Sequence, residues 1–248
     1  MSDQAARQAG LREMSISQRV AAAVALRQLG YKVVARPSGV VVAAIGEGSH
    51  AVGKLEPSDV IVSVGGAPTP TIAELRAQLA KSKPGDNVTL GILRGDQKVT
   101  LRVKTTADPL DKHRAIVGFA PEQAAKITLP IKVQIDAGNV GGPSAGLMFS
   151  LGIYDKVTNG ALTGGQNIAG TGTIDSSGKV GPIGGIRQKL VGAQQGGATY
   201  FLAPADNCTE VRGAVPDGLQ AIRIATFDDA RAAVEKIAAG DPKGLPVC

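Results

Sequence analysis

Gly141-Gly142-Pro143-Ser144-Ala145-Gly146 stands between an alternating apolar run, residues 129–135, and an apolar run of helical spacing, residues 147–156. The order predicts a strand, a tight turn and a helix. Gly141 and Gly142 let the backbone turn sharply and approach a bound chain closely. Pro143 presets a first helical turn, where its missing N–H costs nothing. Ser144 then sits where unpaired backbone N–H groups and the helix dipole favour negative charge. A serine alkoxide and a tetrahedral oxyanion both need that setting. A glycine-rich turn with a capping serine is the plainer reading of the same six residues.

A second stretch runs from a Gly/Pro turn into a helix: Gly181-Pro182-Ile183-Gly184-Gly185-Ile186-Arg187-Gln188-Lys189-Leu190. Ile186, Leu190 and Ala193 follow the spacing of a buried helical face, and Lys189 falls at its margin. A lysine drawn into an apolar setting holds its proton less tightly and can serve as a general base near neutral pH. A lysine that buries its stem and keeps its head in water is the alternative.

Together these stretches resemble the proteolytic domain of the Lon family over residues 107–239. The resemblance rests on Pro143-Ser144-Ala145-Gly146, on Thr171-Gly172, and on the run from Gly178 to Ile186 with Lys189 following. It implies a serine–lysine dyad: Ser144 as nucleophile, Lys189 as general base, and Thr171 hydrogen-bonded to the lysine. Gly141 and Gly142 would border the oxyanion. Most Lon proteins carry an acidic residue where Gly141 stands and Thr-Gly-Glu where this chain has Thr171-Gly172-Thr173. Both differences leave the dyad intact.

Upstream, residues 17–29 read as a helix stopped by Gly30. Residues 31–35 and 40–45 read as strands joined by a turn at Arg36-Pro37-Ser38-Gly39. Further strands are expected at 60–64, 88–93 and 99–103. Thr71-x-x-Glu74 is a capping box for a helix through about Lys81. Gly39-Val40-Val41-Val42, the run from Gly53 to Ile61, the capped helix and Pro84-Gly85-Asp86 resemble a PDZ domain of bacterial envelope proteases over residues 25–105. That resemblance implies a carboxylate-binding turn at Leu29-Gly30-Tyr31. It implies capture of peptide C-termini as an added strand along Tyr31, Lys32 and Val33. A PDZ fold that only braces its neighbour is the equal alternative. Ser58 stands where many such domains have Gly.

The expected fold is therefore α+β, with an N-terminal helix and PDZ-like domain over 1–106 and a Lon-like protease domain over 107–248. In the second part, strands are expected near Ile168, at 199–202 and at 221–224. Thr226-x-x-Asp229 caps a last helix.

The chain has 248 residues, ordinary apolar content and a net charge of +6, all of it in residues 1–106. No dense Lys/Arg cluster appears, aromatics are scarce and Trp is absent, so nucleic acid is not an expected partner. The expected partners are polypeptide substrates, and the Lon resemblance adds a homo-oligomer. No apolar run is long enough to span a bilayer, and residues 1–18 lack a signal-peptide core. The chain resembles membrane-anchored PDZ/Lon-domain proteins with the anchor absent.

Cys208 and Cys248 are the only cysteines. A loop cysteine and a chain-terminal one read as a disulfide pinning the tail in an oxidising, extracytoplasmic setting. Two separate thiols are the alternative. His50 and His113 lie far from them in sequence, so no metal site and no cofactor are expected. The nearest approach to a phosphate loop, Gly172 to Val180, has five residues between its glycines and Val after its lysine. The expectation is an ATP-independent serine endopeptidase acting on unfolded or envelope polypeptides. A peptide-binding adaptor on an inactive protease scaffold is the second reading.

Overall fold

The computed structural model describes residues 3–138, 140–158 and 160–248. Helix α1 (Asp3–Gln28) opens the chain. Two compact units follow. One takes in residues up to Arg12 with Val34–Thr128, and the other takes Glu13–Val33 with Leu129–Cys248. The helix, strand and turn content is α+β, as expected.

The first unit is built on a six-stranded sheet. Its strands are β1 (Val34–Ile45), β2 (Val60–Val64), β3 (Ala67–Pro68), β4 (Asn87–Arg94), β5 (Gln97–Lys104) and β8 (Phe119–Thr128), in the order β5-β4-β2-β1-β8, with β3 on β2. Helix α2 (Ile72–Leu79) packs beside β1, β2 and β8. Its capping box is present as read: Thr71 accepts from the Glu74 N–H at 3.1 Å, and Glu74 accepts from the Thr71 N–H at 2.9 Å. Two short strands, β6 (Thr106–Ala107) and β7 (Ala115–Ile116), pair between β5 and β8. The core gathers Val40, Val42, Leu55, Ile61, Leu75, Leu90, Ile92 and Val103. Buried Asp59 accepts from Nε and Nη2 of Arg94, at 2.8 and 2.7 Å.

Two sequence expectations change here, and one strand has no counterpart among them. Residues 34–45 form one bulged strand in place of two joined by a turn, with the register slipping between Pro37 and Gly39. Gly39 has φ +145°, and a Cβ there would meet the Ile61 carbonyl at 2.6 Å, so the glycine permits close packing on β2. Residues 31–33 are not strand. The Tyr31 N–H bonds to the Leu26 carbonyl at 2.9 Å and the Gly30 N–H to that of Arg27 at 2.9 Å, with Gly30 at φ +80°. That is a helix C-terminal cap. Residues 119–128, for which the sequence predicts no strand, form β8. They pair with β1 along its length, from Val34↔Thr128 to Ile45↔Phe119. The compact units thus part at Thr128 and take in Glu13–Val33 with the second body, where the sequence reading divided at 106/107.

The second unit holds helix α3 (Gly146–Val157), strands β9 (Ile168–Gly170), β10 (Thr173–Ile174) and β11 (Val180–Gly181), and helix α4 (Ile186–Gln195). Strand β12 (Tyr200–Pro204), a 3-10 turn (Ala205–Asn207), helix α5 (Cys208–Val211), strand β13 (Gln220–Ile224) and helix α6 (Phe227–Ala238) complete it. Strands β9, β12 and β13 form a parallel sheet with β12 in the middle, and β10 and β11 form a hairpin. Its core joins Ala21 and Val24 of α1 to Leu147, Leu151, Leu202, Ile222, Phe227 and Val234. Residues 129–135 are not a strand. Leu129, Val133 and Ile135 bury their apolar side against Ala22, Ala25 and Ile153 without pairing in a sheet.

The tail lies along β13. The Arg223 N–H bonds to the Pro246 carbonyl at 2.8 Å, and the Cys248 N–H to that of Ala221 at 3.2 Å. The Cys208 and Cys248 sulfurs are at bonding distance, with Cα atoms 4.8 Å apart. No helix among the described residues is long and apolar enough to cross a membrane.

Candidate active site

Helix α3 starts at Gly146, so Pro143 and Ser144 lie in the turn ahead of it rather than in its first turn. Gly142 takes φ +84°, Gly141 is exposed and Ser144 is half-buried. The turn is held by its carbonyls. That of Pro143 accepts from the Ser17 hydroxyl at 3.2 Å and from the Gly146 N–H at 3.2 Å. That of Ser144 accepts from the Gly172 N–H at 2.8 Å and from the Thr171 hydroxyl at 2.9 Å. The Gly172 carbonyl in turn receives the Leu147 N–H at 3.1 Å.

Two motif glycines are explained by this packing. A Cβ on Gly146 would meet Ser17 Oγ at 2.9 Å and Ile174 Cγ2 at 3.0 Å. On Gly172, whose φ is +150°, it would meet Val180 Cγ1 at 2.7 Å. A side chain at either point would push the serine turn off its supports.

Thr171 is 3% exposed, and its N–H bonds to the Leu202 carbonyl at 3.1 Å. Its hydroxyl therefore fixes the backbone of Ser144. No hydrogen bond from Lys189 to Thr171 or to Ser144 is present among the described residues.

Lys189 sits on α4, whose N-cap is Gly185 at φ +69°. Ile186 and Leu190 are fully buried, packed with Phe201, Ala203 and Val211, and Lys189 itself is exposed. The apolar setting expected for it is absent, because it projects beside the buried stripe rather than within it.

The approach to α4 is held by a residue the sequence reading passed over. Asn207, 1% exposed, accepts the Ile183 N–H at 2.9 Å and donates to the Ile183 carbonyl at 2.9 Å. Its amide also donates to Glu210 at 3.0 Å. The only sequence signal is a polar residue three positions past the apolar strand 200–204 and directly before Cys208.

Topology relates the two supports. Strands β9 and β12 are parallel neighbours in the register Leu202↔Gly170. Thr171 follows the end of β9, and Asn207 closes the turn that follows the end of β12. Loops leaving parallel neighbours emerge on the same edge of a sheet, where open α/β sheets place their sites.

The hairpin between β10 and β11 accounts for Gly178-Lys179. Asp175 accepts from the Ser177 hydroxyl at 2.6 Å, the Ser177 N–H at 2.8 Å and the Lys179 N–H at 3.0 Å. Partial burial works against the Asp175 charge, but these hydrogen bonds outweigh it and hold the carboxyl below its ordinary range.

Leu29, Gly30, Tyr31, Lys32 and Val33 belong to the second unit and lie outside the sheet of the first. The Leu29, Gly30 and Tyr31 N–H groups are all bonded to α1 carbonyls, so that turn has no donors for a carboxylate. His50 and His113 are exposed residues of the first unit, whereas Ser144 belongs to the second. Among the described residues, no three His, Cys, Asp or Glu side chains cluster as a metal site requires.

The PDZ domain family matches residues 27–105, and the Lon protease (S16) C-terminal proteolytic domain family matches residues 103–237. Among relatives, Lon protease of Azospirillum brasilense is 33% identical over 184 residues, 71% of this chain and 22% of that protein. Lon protease 1 of Bacillus subtilis is 31% identical over 116 residues, 46% of this chain and 15% of that protein. The chain thus spans about a fifth or less of these relatives. Among solved structures, the PDZ domain of the SdrC-like protein from Listeria innocua aligns with 34% of this chain and 92% of its own, at 26% identity and a TM-score of 0.32. That of the Listeria monocytogenes protein aligns with 34% and 87%, at 24% identity and a TM-score of 0.31. With more than half of its length matched, the chain is a member of the Lon protease (S16) C-terminal proteolytic domain family, preceded by a PDZ domain.

Proposed function

We propose that the chain is a serine endopeptidase that works without ATP, with Ser144 as nucleophile and Lys189 as general base. The observation that carries this reading is the pair of supports on one sheet edge. Thr171 holds the backbone of Ser144, and Asn207 holds the turn that leads to Lys189. In this reading Ser144 Oγ attacks the scissile carbonyl while Lys189 Nζ takes its proton. The oxyanion faces the N–H groups of the Gly141-Gly142 turn. The lysine returns the proton to the leaving amine, and water then hydrolyses the acyl-enzyme. Unfolded casein, incubated without nucleotide, should be cleaved by the wild-type chain and not by Ser144→Ala or Lys189→Ala. Equal cleavage by the wild type and Ser144→Ala would refute the assignment.

In this reading the PDZ domain captures peptide at the outer edge of β8 beside α2. Strand β8 ends the sheet and is largely exposed. A second reading, a non-catalytic peptide-binding adaptor, is favoured by the exposure of Lys189 and by Gly141 and Thr173 in place of the family's acidic residues. It requires unchanged peptide affinity in Ser144→Ala and no turnover. Residence on the outer face of a bacterial membrane belongs to the same proposal, supported by the paired cysteines.

A further inference from the structure

We infer that Asn207 is a positioning residue for Lys189, an inference that rests on the dyad assigned above. Its amide is matched to both backbone groups of one residue, in two successive peptide units: the oxygen accepts the Ile183 N–H and the nitrogen donates to the Ile183 carbonyl, both at 2.9 Å. Such a two-point grip fixes both position and rotation of the Pro182–Gly185 turn. Gly184 and Gly185 have no side chains with which to hold that turn themselves. Gly185, at φ +69°, gives α4 no side-chain cap. The grip therefore sets where the first turn of α4 begins, and Lys189 is one turn further on.

Three restraints keep Asn207 in place. Its amide nitrogen is shared with Glu210 at 3.0 Å. The Arg187 side chain of α4 donates to the Glu210 carbonyl at 3.2 Å. Cys208, the next residue, is joined to the C-terminal residue. A misplacement of about 1 Å in a catalytic group can cost on the order of a hundredfold in rate.

A purely structural asparagine would lower stability and leave turnover by the folded fraction unchanged. The inference calls for lowered kcat at little-changed KM.

The test compares Asn207→Ala, Asn207→Asp and, as a control in the same apolar cluster, Val211→Ala. Casein turnover, labelling of Ser144 by a serine-directed probe and amide exchange are measured on each full chain below its unfolding temperature. In Asn207→Ala, kcat and the labelling rate should fall on the order of tenfold to a hundredfold, with KM within about twofold. Exchange at Ile183 and over 186–190 should quicken. Val211→Ala should keep kcat within about twofold.

Asn207→Asp places a carboxylate against the Ile183 carbonyl and Glu210, which should raise its pKa. Its rate relative to wild type should climb as pH falls and the protonated carboxyl regains a donor. Equal kcat in Asn207→Ala and Val211→Ala, or a flat pH ratio for Asn207→Asp, would overturn the inference while leaving the dyad standing. An inactive wild type would overturn the dyad and this inference together.

Discussion

Thr171→Val separates two roles for one hydroxyl. In the structure, Thr171 Oγ1 donates to the Ser144 carbonyl at 2.9 Å. The Lon resemblance implies instead that it orients Lys189. Valine keeps the shape and removes only the hydroxyl, so no cavity opens. The lost bond is a neutral one, about 0.5–1.5 kcal/mol. The Ser144 carbonyl still accepts the Gly172 N–H at 2.8 Å, so it is not orphaned, and the cost belongs at the lower end of that range. About 1 kcal/mol in a chain of this size lowers the unfolding temperature by about 2–4 °C. Activity should suffer more, because the Ser144 carbonyl is then held by the Gly172 N–H alone. We expect labelling of Ser144 by a serine-directed probe to slow on the order of tenfold, with an unchanged pH profile. Thr171→Ser, which keeps the hydroxyl, should restore most of the rate. A displaced pH profile with an unaltered maximal labelling rate would refute the turn-holding role and favour the lysine-orienting one.

The other predictions read separate parts of the molecule. Ser58 is the one non-glycine residue with positive φ among the described residues, at 70°, so Ser58→Gly should raise the stability of the first unit by up to about 1 kcal/mol, read by calorimetry. Asp175 holds its carboxyl below the ordinary value of about 3.9, so its stabilising effect is present at neutral pH and is lost as pH falls through the lowered value. The stability gap between the wild type and Asp175→Asn, measured by denaturant titration, should therefore narrow from pH 7 towards pH 3. If the Cys208–Cys248 bond, which spans 40 residues, forms in the protein, Cys248→Ser should cost roughly 3–4 kcal/mol. Mass spectrometry of the unreduced protein, with thiol counting, checks the bond itself.

Legibility in the sequence followed the source of each element's stability. Elements that carry their own signal were read well: the capping boxes at Thr71 and Thr226, strands β2, β4 and β5, and the turn–helix units around Ser144 and Lys189. Strand β8 carries almost none. Phe119-Ala120-Pro121-Glu122-Gln123-Ala124-Ala125 has weak strand propensity, and most of its residues are exposed. It exists through its ladder with β1, a partner more than seventy residues away. Pro37-Ser38-Gly39 has the composition of a turn, and only the need to pass close to Ile61 makes it a bulge. Residues 129–135 alternate correctly for one buried side, but the partner proved to be helices rather than a sheet. Asn207 was illegible because its role depends on Ile183, 24 residues away, and on backbone atoms that no side-chain pattern encodes.

Strand β12 is the common reference of both supports. The Leu202 carbonyl receives the Thr171 N–H, and Asn207 closes the turn that leaves the strand at Pro204. Phe201 and Leu202 are buried on opposite sides, Leu202 with the α3 and α6 cluster and Phe201 with the α4 and α5 cluster. Leu202 thus packs on the side of the serine turn and Phe201 on the side of the lysine helix. A volume change in the strand itself, at Phe201 or Leu202, displaces it and with it the anchors of both turns. Core and site are therefore not separable here: energies of variants at Thr171 and Asn207 should couple through β12 although the two residues share no hydrogen bond. The serine side depends on four hydrogen bonds to the Pro143 and Ser144 carbonyls and on two obligatory glycines. The lysine side depends on one asparagine, next to which the Cys208 sulfur lies at bonding distance from that of Cys248. Four hydrogen bonds to two carbonyls hold the serine turn and a single amide holds the lysine turn, so loosening of the C-terminal tail should reach Lys189 before it reaches Ser144.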